Sequence, residues 1–165
     1  MNVHTAACRL SAGRWLARAW ASLTRALEWL QSPALLAARL YVADVFFASG
    51  LESLRSWDAT LWLYQNMFQV PLLPPDVAAV AGTAGELLLP PLVAFGVFGR
   101  FGALGLFVVN AVAFLSYRHT LPVPSLTPAA LFHAIWGILI ALVVLWGPGR
   151  WSVDGWRSTR RRTQR

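Results

Sequence analysis

The sequence predicts an all-α protein: a four-transmembrane-helix bundle preceded by an amphipathic interfacial helix. Three observations lead there. Apolar residues make up 57% of the 165-residue chain and charged residues 13%, against about 25% charged in an ordinary soluble domain. Mean hydropathy is +0.53, and a small domain leaves too much surface wet to hide that much apolar area in one core. Four runs are long enough to cross a bilayer core of about 30 Å, which takes about 20 helical residues.

Residues 1–33 read as a cytoplasmic segment carrying the amphipathic helix. At 100° per residue Leu16, Trp20, Leu23, Leu27 and Leu30 share one face, with Arg14, Arg18, Arg25 and Glu28 opposite. Such a cationic helix is expected to lie in the interface plane; an Arg-rich targeting segment removed on maturation is the alternative. The membrane domain follows over residues 34–154. Its first span is Leu35 to Leu54, bounded by Pro33 and by Arg55 to Asp58. The second is Val77 to Phe98, entered through Pro74 and Pro75, with Asp76 expected as its N-cap. Pro90 and Pro91 lie inside it and imply a kink. The third is Phe101 to Tyr117, joined to the second through Gly99–Arg100 as an antiparallel hairpin. The fourth, Ala129 to Trp146, is stopped by Gly147–Pro148–Gly149. Residues 155–165 form a basic cytoplasmic tail.

Four spans put both termini and the Gly99–Arg100 turn on one side. That side carries eleven arginines, the other only Arg55 and Arg118, so the positive-inside rule makes both termini cytoplasmic. All 14 cations are Arg. A pI near 11.3 in a soluble protein would suggest nucleic acid. Here the cations lie outside the apolar runs, which points to the anionic headgroups of the lipid bilayer and not to nucleic acid. One cysteine, Cys8, allows neither an internal disulfide nor a CxxC redox pair. Gly96, Gly99, Gly102 and Gly105 follow no strand, so they read as small residues for helix packing and not as a nucleotide loop.

The ionisable residues inside the spans carry the functional question. By rise per residue, Asp44 lies about 13 Å from the inner boundary, Glu86 about 15 Å from the outer, and Asn110 about 13 Å from the inner. Arg39 lies about 6 Å inside the cytoplasmic boundary and His133 about 7 Å below the outer one. A lone charge at such depth costs at least about 2.5 kcal/mol, so Arg39 is expected to pair with Glu86 or Asp44 inside the bundle. Two readings stand: a proton-carrying or ligand-binding site of Arg39, Asp44, Glu86, Asn110 and His133, or buried charges that only fix helix register. Trp57, Arg118 and His119 are rim candidates on the outer side, as an aromatic belt or a lid over an entry site. The chain offers no thiol pair, in-chain pair of haem ligands, flavin loop or metal cluster, so no covalently bound cofactor and no metal site is expected.

The run RLYVADVFFASGLESL, Arg39 to Leu54, resembles the opening helix of the DoxX family. Glu86, Pro90–Pro91 and the segment Gly96 to Arg100 resemble its second-helix acid, apolar stretch and arginine turn. GPGRWSVD, Gly147 to Asp154, resembles its closing motif. The likeness covers about Leu35 to Asp154. Ser53 stands where the family pattern commonly has a Lys, and the branch with paired cysteines is not matched. The resemblance implies a four-helix bacterial inner-membrane protein. Some members are subunits of thiosulfate–quinone oxidoreductases or membrane partners in oxidative-stress complexes. The expectation is therefore the membrane subunit of a quinone-linked redox complex, meeting a soluble redox partner protein and open to homo-oligomer formation. The alternative is a non-catalytic scaffold or small-solute carrier.

Overall fold

The structure, a computed structural model, describes residues 3–68, 70, 72–118 and 128–163; side chains are described from residue 15 onward, except those of 117, 118, 162 and 163. All regular structure among them is helical: α1 (Val3–Arg55), α2 (Trp57–Asn66), α3 (Pro75–Phe95), α4 (Gly99–Arg118), α5 (Pro128–Trp146) and α6 (Val153–Thr163). Four helices, α1 and α3 to α5, are long and apolar enough to span a membrane. Much of their apolar surface points outward, as in Leu88, Phe95, Phe101, Ile138 and Leu145. Lipid is the solvent that such a surface suits.

The amphipathic stretch and the first span are one helix, with no break between them. No glycine separates Leu30 from Leu35, and Pro33 inside α1 removes one backbone donor without ending the helix. The apolar face of the stretch is uncovered, with Trp20, Leu23 and Leu27 all exposed.

At the far end of α1 the chain turns at Ser56 and folds α2 across the bundle mouth. The sequence reading had no helix here: a 10-residue element is too short for a periodic apolar stripe. Gln65 Nε2 donates to Asp76 Oδ1 at 2.8 Å, tying α2 to the start of α3. Asp76 is therefore not the N-cap, which is Pro74. Pro75 takes the first helical position, where its fixed φ fits and its missing N–H is no loss.

The α3–α4 hairpin turns over Gly96 to Phe98, three residues earlier than Gly99–Arg100. Gly96 ends α3 with φ 64°, and Val97 N–H donates to Leu92 O at 3.0 Å, a Schellman closure. Only glycine takes that backbone without strain. The dry core lies in this half of the bundle: Leu35, Val42 and Phe46 of α1, Val93 of α3, Ala103 and Leu106 of α4, Ile140 and Val143 of α5. The half beneath α2 is not filled in this way.

Candidate functional site

Two polar assemblies sit at opposite ends of the bundle. At the α3–α4 turn, Arg39 is fully buried and donates through Nη2 to Trp151 O. A Cβ on Gly96 would meet Arg39 Nη1, so the guanidinium rests against the C-terminal end of α3, where the helix dipole favours a cation. Gly99 N–H donates to Asp154 Oδ2 at 2.8 Å and Asp154 N–H to Gly96 O at 3.2 Å. Residues 147–154 thus fold back as a clasp on the turn.

The expected pairing of Arg39 with Glu86 is not formed. Gly96, which touches Arg39, is ten residues beyond Glu86, about 15 Å along the helix. Depth arithmetic placed Arg39 near the cytoplasmic boundary, and its guanidinium meets a loop carbonyl there instead of reaching toward Glu86. Asp44 points away from the bundle and is exposed. The five-residue offset from Arg39 turns it to another side of α1.

The second assembly is a cavity of about 400 Å³ under α2, bounded by α1, α3, α4 and α5. Its wall is mostly apolar, with Val108, Val109, Val112 and Leu63 among the lining residues. The polar groups are few and come from five helices. Glu86 sits where α1 packs closely on α3; a Cβ on Gly50 would lie 3.0 Å from Glu86 Cβ. The Ser49 hydroxyl donates to its carboxylate. Tyr64, from α2, lays its hydroxyl over Gly82 where any side chain would collide with it. Burial, and then the Glu86 charge, push the Tyr64 phenol above its ordinary value.

Across the cavity His133 is held by Asn110. Asn110 Nδ2 donates to His133 O at 3.0 Å, and His133 Nδ1 lies 2.9 Å from Asn110 Oδ1. Trp136 meets the ring edge-on at 5.1 Å between centroids. Ser116 Oγ lies buried at the same wall with no hydrogen-bond partner among the described residues.

Of the five candidates read from the sequence, Glu86 and His133 line one cavity and Asn110 orients His133. Arg39 and Asp44 lie elsewhere. Of the rim candidates, Trp57 opens α2 half-buried and outside the cavity wall, while the Arg118 side chain and His119 lie outside the described residues. Ser49, Thr60, Tyr64 and Ser116 join the cavity wall from outside that candidate set. Ser49 and Ser53 share a helical face at i, i+4, a signal that marked a polar strip on α1. Among the described residues no group of three or more His, Cys, Asp or Glu comes together to hold a metal ion.

Comparison with known proteins gives a consistent picture. The DoxX family model matches residues 34–119. An uncharacterized protein of Haemophilus influenzae is 31% identical over 124 residues, covering 73% of this chain and 80% of that one. No solved structure matches.

Proposed function

The chain belongs to the DoxX family, and from that premise we propose that it is the quinone-binding membrane subunit of a redox complex whose redox centre sits on a partner. The cavity under α2 carries this reading. A quinone head needs an apolar slot, one or two hydrogen-bonding groups at its oxygens and a group able to take a proton. Val108, Val109 and Val112 form such a slot, Tyr64 and Ser116 hold hydroxyls at its wall, and Glu86 supplies a carboxylate. Its volume lies at the small-molecule end of the range usual for ligand pockets, about 300–1,000 Å³. An electron-transfer chemistry would belong to the bound quinone and its partner's cofactor, with this chain supplying position and proton acceptors.

The same reading places the protein in a bacterial inner membrane with both termini cytoplasmic and the cavity in the outer leaflet. A soluble redox partner would dock on one membrane face. One observation favours the scaffold alternative in part: Arg39 holds a loop and takes no share in the cavity.

The test is purification in mild detergent followed by solvent extraction. Wild-type protein should carry quinone at close to one per chain. Ala78→Phe, which puts a ring into the cavity from its wall, should lose it, while the exposed Asp44→Asn should keep it. Equal quinone in all three would mark it as dissolved lipid and end this reading.

A further inference from the structure

The hydrogen-bond chain at His133 fixes which way the cavity's polar groups face. The backbone carbonyl of His133 can only accept, so the Asn110 amide bonded to it must present Nδ2 there. Asn110 Oδ1 then faces the imidazole, and Oδ1 can only accept. His133 Nδ1, at 2.9 Å, therefore carries the ring hydrogen. In the neutral ring the remaining nitrogen, Nε2, has a lone pair and no hydrogen. His133 lines the cavity, and Nε2 is the one ring nitrogen not engaged by Asn110.

The other fixed groups have the same polarity. Ser49 spends its hydroxyl hydrogen on Glu86. Thr60 spends its hydroxyl hydrogen on Ser53 O at 3.1 Å and leaves only lone pairs. Ser116 and Tyr64 can serve either way. The cavity is thus richer in acceptors than in donors, and a ligand carbonyl set against Nε2 would meet lone pair with lone pair.

Building on the quinone reading above, we infer that the cavity selects its aromatic ligand by hydroxyl hydrogens, with His133 Nε2 as the accepting atom, so that a hydroquinone binds in preference to the corresponding quinone. The same rule covers any phenol of similar size. Asn110 is a positioning residue in this scheme: it sets the tautomer and does not touch the ligand.

The experiment compares three probes under anaerobic conditions in detergent: a short-chain alkyl hydroquinone, its dimethyl ether and the matching quinone, each titrated calorimetrically. One hydrogen bond gained or lost corresponds to about tenfold in affinity, so the hydroquinone should bind about tenfold more tightly than either of the others. Equal affinities, or a tighter quinone, would overturn the inference and leave the quinone site standing. Binding of none of the three removes the site itself, and the inference with it. His133→Phe keeps an aromatic ring against Trp136 but drops the acceptor, and should bring the three affinities within about twofold. Independently of any variant, the ¹⁵N spectrum of wild-type protein should show His133 as the Nδ1–H tautomer. An Nε2–H ring or an imidazolium would refute the assignment.

Discussion

Arg39 and Trp151 are 112 residues apart in the chain, yet the guanidinium of one donates to the backbone carbonyl of the other. That contact joins the first span to the segment after the last one, at the C-terminal end of α3. Nε and Nη1 of Arg39 have no hydrogen-bond partner among the described residues. The cation is stabilised by one carbonyl and by the helix end, where carbonyl dipoles converge. This is a cation held by backbone, not by a carboxylate.

The first prediction follows from that geometry. Arg39→Gln should lower stability by about 2 kcal/mol, the scale of a charge-assisted hydrogen bond. Glu86→Gln should have a separate and smaller effect. Because the two side chains share no partner, the double variant should equal the sum within about 0.5 kcal/mol, measured by thermal unfolding in one detergent. Recovery of stability in the double variant would show the ion pair that the structure does not form.

The clasp predicts a second effect. Asp154 accepts from Gly99 N–H at the start of α4, the role usually filled by a local N-cap. Asp154→Ala should cost about 1 kcal/mol, as lost caps do, and Asp154→Asn much less. Melting temperatures of the two variants check this; equal loss would mean that the cap is not what Asp154 contributes.

The spans and the hairpin were legible in the sequence because lipid demands long apolar runs, and Gly147–Pro148–Gly149 stops the last of them where expected. Glu86, Asn110 and His133 were legible as polar residues in apolar runs. The partner of Arg39 was not legible because depth arithmetic treats each helix alone, while the Trp151 carbonyl reaches it from a distant loop. The helix α2 was missed because its ten residues carry no stripe of their own; they are helical by packing on α3, with Tyr64 seated at Gly82. Helix α6 was read as a tail because RSTRRRTQR is charged all round; Arg160 lies 3.7 Å over the Trp156 ring one turn earlier in the same helix.

Topology offers a third prediction. The eleven-to-two arginine asymmetry predicts Ser56 outside and Ser158 inside. In a Cys8→Ser background, a cysteine at Ser56 should react with an impermeant thiol reagent in intact cells, and one at Ser158 only after lysis. The reverse pattern would invert the orientation.

The fourth prediction concerns the phenol of Tyr64, held above its ordinary value by burial and then by the Glu86 charge. Ultraviolet titration should show a tyrosine step above the ordinary phenol value of about 10. Tyr64→Phe should remove that step. Glu86→Gln should move it only part of the way down, because burial is the larger cause. A phenol raised in the folded state stabilises the fold fully below its unfolded value of about 10, and that contribution is lost as pH rises through the folded value. Stability of the wild type should therefore fall in strong alkali more steeply than in Tyr64→Phe.

The last prediction uses the contact between Tyr64 and Gly82. A Cβ at position 82 would run into the Tyr64 hydroxyl and lies 3.4 Å from its ring carbon Cζ. The collision is with the oxygen, and the ring itself is at the edge of ordinary contact. Gly82→Ala alone should therefore push α2 off its seat and cost about 1–3 kcal/mol, the usual scale of overpacking. In a Tyr64→Phe background the same substitution should cost under about 1 kcal/mol, because the obstructing atom is gone. The non-additivity is the diagnostic quantity, since residues in contact couple by about 0.5–3 kcal/mol and distant ones do not. If Gly82→Ala is equally harmful with Tyr or Phe at position 64, then α2 does not close the cavity by way of this hydroxyl.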